Sequence, residues 1–394
     1  MKKKIKILLF SSLYPSSVRP SHGIFVETRL KHLLASDEIE VQVVAPVPWF
    51  PSTYSGFGEW SLLAKIPHHE LWNNVFVSHP RYFLPPKIGM NLAPFLMAIF
   101  CIPSLRQLQK SFDFDIIDAH FYYPDGVAAA LIAKYFGKPF VVTARGSDIN
   151  LISQYRIPRS LIIWAAHKAQ ASIGVCNALI SRLENLGADP SKLLVLRNGV
   201  DLNLFSPLDK VEARKNLGLM NGNLLLSVGN LIDLKGHDIA IKALQYIPGV
   251  NLAIIGKGKL LDELKDLALR LGVLERVQFV GPVIQQSLSQ WYSAADILVL
   301  CSSREGWANV LLESMSCGTP VIATAVGGTP EVVQSDHVGR LMSARTPECL
   351  AQCVQEIFSD YPDRNQVRAY AELFSWDETT KGQIHLFQKI SKRE

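Results

Sequence analysis

The apolar positions of this chain fall in short unbroken runs, and the runs recur. In the first half, KIKILLFSS, VQVVAPVP, DIIDAH, PFVVTARG, ASIGVC and LLVLRNG have strand length and almost no alternation. Parallel strands covered on both faces read this way. Stretches with helical spacing separate several of them, among them GIFVETRLKHLLAS and DGVAAALIAKYFG. The alternation then restarts. NLLLSVGN, NLAIIGKG, RVQFVGPV, ADILVLCSS and PVIATAVGG read as strands, with HDIAIKALQYI, LLDELKDLALRLG and NVLLESMSCG as helices between them. Repeated βαβ units predict right-handed crossovers and doubly wound sheets. Two series predict an α/β chain of two Rossmann-like domains facing a central cleft. NGVDLNLFSPLD (198–209) carries the Asn, Gly, Asp and Pro of a linker. The domains expected are therefore residues 1–200 and 201–374, followed by a final helix over 375–394.

Composition agrees with a folded chain. Its 394 residues exceed one ordinary core, and 48% are hydrophobic against 19% charged. The start MKKKIKILLFSS reads as a first buried strand and not a signal peptide, because its apolar core is short and no small-residue cleavage site follows. Six cysteines lie scattered without a C-x-x-C pair, which argues against structural zinc and for a reducing cytoplasm. Charge is uneven: residues 1–200 carry 21 Lys+Arg against 13 Asp+Glu, while the whole chain carries 40 against 35. A basic first half suits a phosphorylated substrate or an anionic membrane, and no nucleic-acid module signature accompanies it. The segment 88–108 is apolar enough to raise the question of a membrane span, but Pro94, Pro103 and Asn91 interrupt it. A buried or interface-facing helix is expected there.

Ligands of open α/β sheets bind beyond the carboxyl ends of strands, so the loops after strands carry the chemistry. In SSREGWANVLLESMSCG, Glu305 and Gly306 follow a strand and Asn309 opens a helix. A helix N-terminus is an anion site, so a phosphate is expected against the N–H groups of Asn309 and Val310. Glu313, one turn further in, suits a ribose diol. Glu305, with Gly306 and Trp307, suits the hydroxyls of a transferred sugar. Lys235, in SVGNLIDLKGHD, suits a diphosphate leaving group. Gly258, in AIIGKGK, and Val283, after RVQFVG, are expected beside a nucleobase. In the first half, Gly23 opens a helix after the loop LYPSSVRPSHG, His120 ends a strand, and Arg145 and Asp148 follow another as polar acceptor contacts. Taken singly, each of these residues has an ordinary structural reading; their joint placement after strands raises the functional one.

The chain resembles the family 4 retaining glycosyltransferases of GT-B fold over essentially its whole length. The resemblance rests on EGWANVLLESMSCGTPVIATAVGG, NGVDLNLF, GNLIDLKGHD and DAHFYYPDG. It implies that Glu305 lies near the donor sugar, that Glu313 holds the ribose, that Lys235 meets the donor diphosphate, that His120 lies near the reacting sugar and that Gly23 lies near the phosphates. The final helix is expected to return to the first domain. Asn230 departs from the family, many of whose members have arginine there, and a single Gly23 stands where many have a glycine pair. The implied reaction moves a hexosyl group from a nucleotide sugar to a hydroxyl with retention, without a metal or other cofactor. UDP is favoured over GDP on family frequency alone. The acceptor expected is a lipid-linked or cell-surface saccharide, met by a cytoplasmic enzyme peripheral to the membrane. The competing readings are a nucleotide-sugar 2-epimerase of similar fold and a non-catalytic nucleotide-sugar sensor.

Overall fold

The computed structural model describes residues 4–85, 88–219 and 222–391. Two units divide the chain: Met1–Asn198 with Asp377–Glu394, and Gly199–Trp376.

In the first unit the strands are β1 (Ile5–Phe10), β2 (Ile39–Val44), β3 (Val47–Pro48), β4 (His69–Trp72), β5 (Val75–Ser78), β6 (Arg81–Tyr82), β7 (Ile116–His120), β8 (Phe140–Ala144), β9 (Ala171–Gly174) and β10 (Leu193–Val195). Among the described residues, eight of them form one sheet in the order β10-β9-β8-β7-β1-β2-β5-β4, while β3 and β6 pair separately. The eight-stranded sheet is parallel except for the β4–β5 hairpin at its edge. Every residue of β7 and β8 is buried, which is why these segments are continuous apolar runs. The core of this unit includes Ile7, Leu9, Val26, Leu30 and, from the end of the chain, Ile384 and Phe387. The last helix, Trp376–Ser391, therefore packs on the first unit.

The second unit holds β11 (Asn223–Val228), β12 (Val250–Ile255), β13 (Val277–Gly281), β14 (Ile297–Leu300), β15 (Val321–Thr324) and β16 (Gly339–Met342). Among the described residues these form one all-parallel sheet in the order β13-β12-β11-β14-β15-β16. In each unit the strand order reverses beside the first strand: β1 lies between β2 and β7, and β11 between β12 and β14. The loops leaving two such strands diverge and open a crevice at the carboxyl ends, where doubly wound sheets bind ligands.

Candidate active site

At the reversal in the second unit, the loops after β11 and β14 bring Lys235 and Glu305 together. Lys235 Nζ donates to Glu305 Oε1 at 2.6 Å, and Ser302 Oγ donates to the same oxygen at 2.6 Å. Both charged side chains are mostly sheltered, at 21% and 10% exposure. Two close backbone approaches fix this geometry. Gly236 has φ 68°, and a Cβ there would lie 2.2 Å from the Cys301 carbonyl oxygen. Gly327 has φ 55°, and a Cβ there would lie 2.0 Å from the Glu305 carbonyl oxygen. Any larger residue would strain the backbone and push the two loops apart. The adjoining Gly328 N–H donates to the Gly306 carbonyl at 3.0 Å. His237, beside Lys235, is bound by Ser227 at 2.9 Å and by the Asn230 carbonyl at 3.2 Å. Burial pushes its pKa down to about 4, so it is neutral at pH 7 and holds the loop without adding charge.

The helix Asn309–Ser316 begins where the pattern predicts. Val310 lies in its first turn, where a backbone N–H has no carbonyl four residues back within the helix. Glu313 follows one turn on. Tyr292, itself fully buried, donates its hydroxyl to Glu313 Oε2 at 2.7 Å. Burial raises the Glu313 carboxyl to about 7, and the tyrosine bond partly offsets that rise. Tyr292 and Ser302 were not found from sequence, since neither lies in a recognisable spacing with the glutamate it contacts. Gly258 lies after β12, its backbone close enough to Leu231 that a Cβ would fall 2.3 Å from the Leu231 carbonyl oxygen. Val283 is half-buried on the loop after β13. Trp307 differs from expectation. Its side chain is 7% exposed and its ring lies 6.2 Å from that of Phe374, so it is a core aromatic and offers no open platform for a sugar.

In the first unit, the loops after β1, β7 and β8 converge. His120, 1% exposed at the end of β7, lies 3.2 Å from Asp118 Oδ2 through Nε2 and accepts from the Arg145 guanidinium at Nδ1. Burial is the main reason its pKa falls to about 4, so the ring is neutral, with its proton on the side of Asp118. Arg145 also donates to Asn198 at 3.0 Å, and its guanidinium lies 5.2 Å from the Phe25 ring. Asp118 Oδ2 further accepts from Gln383 Nε2 at 2.8 Å, and Arg29 Nε donates to Gln383 Oε1 at 2.6 Å. Asp148 also departs from expectation. It is fully buried, and its oxygens accept from the backbone N–H groups of Tyr122, Gly146 and Arg145 at 2.8–3.2 Å. Those bonds hold the loop that presents Arg145, leaving the carboxylate no acceptor contact. Gly23 caps the helix Ile24–Ala35, against the Leu13 backbone. Asp125, which sequence reasoning passed over, accepts from the Ser12 hydroxyl at 3.0 Å, and burial raises its carboxyl to about 7. Beside this loop a cavity of about 230 Å³ is lined by residues that include Tyr14, Arg19, His22, His79 and Tyr82.

Two α/β units, each with loops gathered at a reversal of strand order, are those of a GT-B fold. The family model for glycosyl transferases group 1 matches residues 209–374, and that for glycosyltransferase family 4 matches residues 28–204. The D-inositol 3-phosphate glycosyltransferase of Catenulispora acidiphila is 30% identical over 344 residues, 79% of this chain and 80% of that protein. That of Xylanimonas cellulosilytica is 31% identical, covering 71% and 73%. The enzyme of the same name from Mycobacteroides abscessus is 39% identical over a shorter match, 43% of this chain and 40% of that protein. Among solved structures, sucrose-phosphate synthase from Thermosynechococcus elongatus superposes with TM-score 0.80 at 18% identity, covering 98% and 99% of the two chains. Anabaena HepE in complex with UDP gives 0.74 at 22% identity, covering 98% and 100%. The chain belongs to the family 4 glycosyltransferases.

Proposed function

We propose that the chain transfers a hexosyl group from a UDP-linked sugar to a hydroxyl of a lipid-linked or cell-surface saccharide, with retention of the α linkage. The observation that carries this reading is the Lys235–Glu305 pair beside the start of the Asn309–Ser316 helix, with Glu313 behind it. In this reading Lys235, with the Asn309 and Val310 amides, stabilises charge developing on the leaving diphosphate. Glu305 accepts sugar hydroxyls, and Glu313 accepts the ribose diol. Gly258 and Val283 border the base. Asn230 brings no cation, so Lys235 and the helix N-terminus bear the diphosphate charge. No carboxylate or hydroxyl is assigned as a nucleophile on the sugar, and the acceptor attacks on the face from which the diphosphate leaves.

The acceptor belongs to the first unit, where His120 and Arg145 form one hydrogen-bonded pair and the neighbouring cavity carries Arg19 and His22 on a largely apolar wall. The relatives named for inositol 3-phosphate and the HepE complex with UDP support a nucleotide-sugar donor and a polar acceptor. The enzyme works in the cytoplasm, at the inner face of the membrane, and needs no metal. Nucleotide sugars screened by thermal shift test the donor. A ligand at 100 times its Kd stabilises by about 2.7 kcal/mol, and UDP-hexoses are expected to exceed GDP-hexoses. Stabilisation by GDP-sugars alone would replace the donor. Interconversion of a UDP-sugar without acceptor would instead favour the epimerase reading.

A further inference from the structure

The helix Gly89–Ser111 has two opposite characters on its two sides. On one side, Ala93, Met97, Ala98, Cys101 and Leu105 are at most 6% exposed and pack into the first unit. On the other, Ile88 just before the helix, then Leu92, Phe95 and Ile99, are 59%, 39%, 38% and 62% exposed. Their spacing of four, three and four residues aligns them along a single face. Continuing along the same face by seven and four residues come Arg106 and Lys110, both exposed. One straight stripe is thus apolar in its first half and basic in its last turns.

Charge along the helix is one-sided, whereas the neighbouring connection carries an exposed Glu59 that lies 3.8 Å from Arg19. Between Glu70 and Asp113 the sequence has no Asp or Glu, while Arg81, Lys87, Arg106 and Lys110 fall in that interval. Exposed aromatic residues lie on the neighbouring connection: Trp49, Tyr54, Phe57 and Trp60 are 42–70% exposed. That connection is tied to β6 by Arg81, which donates to the Leu63 carbonyl at 3.0 Å, and β6 runs directly into the segment that precedes the helix.

We infer that this face is a membrane-docking surface, lying in the headgroup region of an anionic bilayer with Leu92, Phe95 and Ile99 in the acyl boundary and Arg106 and Lys110 on the lipid phosphates. An apolar stripe rimmed by cations and free of acids is the pattern of an interfacial helix. A second copy of the chain would bring the same cations against themselves. A spanning orientation is excluded by the buried face, since Met97, Cys101 and Leu105 are core residues of the first unit and would have to leave it. The inference rests on the proposed membrane-linked acceptor, and it locates where the enzyme meets that membrane.

The test is co-sedimentation of the full chain with vesicles of phosphatidylcholine and phosphatidylglycerol, alongside UDP affinity by calorimetry as a separate reading of the donor site. Wild type is expected to bind at low salt and to dissociate in high salt. Each cation near an anionic surface contributes about fivefold in partitioning, so the Arg106→Ala, Lys110→Ala pair should bind about 25-fold less. Phe95→Glu and Ile99→Glu should each lower binding at least tenfold, with UDP affinity unchanged. Because these side chains are already exposed, the fold should tolerate them. Absence of wild-type binding at low salt, or binding unchanged in Phe95→Glu and Ile99→Glu, overturns the inference. So does a wild-type dimer in sedimentation velocity that Ile99→Glu converts to monomer, which would make the face a self-interface. Loss of UDP binding in wild type itself would count against the donor reading and not against the docking face.

Discussion

The Lys235–Glu305 contact can be dissected by a double-mutant cycle of Lys235→Ala, Glu305→Gln and the pair. At an effective dielectric of about 20, two unit charges 4 Å apart attract by about 4 kcal/mol. Desolvation and side-chain ordering take back most of this. Exposed pairs net about 0.2–1 kcal/mol, and breaking a fully buried pair costs about 3–5. With side chains 21% and 10% exposed, the pair lies between these limits, and a coupling of about 1–2 kcal/mol is expected. For a unit of this size about 2–4 °C of melting temperature corresponds to each kcal/mol, so Lys235→Ala should melt about 2–8 °C lower. Glu305→Gln should melt less than that below wild type, because the amide oxygen can still accept from Ser302. Turnover is the second reading. Each single variant should lose at least about tenfold, roughly 1.4 kcal/mol of transition-state stabilisation. The double variant should fall little below the worse single, because residues that position one another do not contribute additively. Losses that multiply would show that the lysine and the glutamate act independently, neither positioning the other, and that their contact is incidental. Near-wild-type turnover in either single variant would remove that residue from the mechanism.

Two further outcomes follow from the same site. Glu313 titrates near 7 in the folded chain, and only its ionised form accepts both ribose hydroxyls, so nucleotide affinity should weaken about tenfold between pH 8 and pH 6; Glu313→Gln should bind more weakly at pH 8 and lose this pH dependence, and a variant with an unchanged profile by calorimetry would separate Glu313 from the ribose. Activity should survive EDTA, because the leaving-group charge is assigned to Lys235 and backbone amides; loss of turnover that Mn²⁺ or Mg²⁺ restores would contradict that assignment.

What the sequence revealed and what it concealed divide along the range of the interactions involved. DIIDAH, PFVVTARG and ADILVLCSS read as strands because both faces of a central parallel strand are buried, which forces an unbroken apolar run. The edge hairpin β4–β5 escaped because HELW alternates exposed and half-buried positions and presents no such run. A local signal was nonetheless present: Asn73 and Asn74 have φ 46° and 63°, and asparagine is among the residues that tolerate the left-handed turn a two-residue hairpin needs. Strand β16, GRLM, is short and carries Arg340, so it offered little pattern. Lys235 and Glu305 were legible because each directly follows a strand at the sheet reversal. Their proximity was not, since seventy residues separate them and only the sheet order sets β11 beside β14. Trp307 was misread for a related reason. Its place beside Glu305 and Gly306 suggests a contact with the sugar, and only its packing on Phe374 shows that the ring belongs to the core.

The buried polar network of the first unit carries that point furthest. Asp118 and Arg29 are each 1% exposed and Gln383 is fully buried, yet none of the three stands in a spacing that announces the others. Gln383 comes from the last helix and bridges them, donating to Asp118 and accepting from Arg29. A buried charge without partners is strongly destabilising, so the last helix does more than fill an apolar groove with Ile384 and Phe387. Its glutamine bonds both an aspartate and an arginine inside the unit, and it shares with His120 the Asp118 oxygen that the imidazole faces. The orientation of the His120–Arg145 pair therefore depends on a residue 265 positions beyond Asp118 along the chain. No reading of local pattern could link the two, because the dependence exists only once the chain has returned to its first unit.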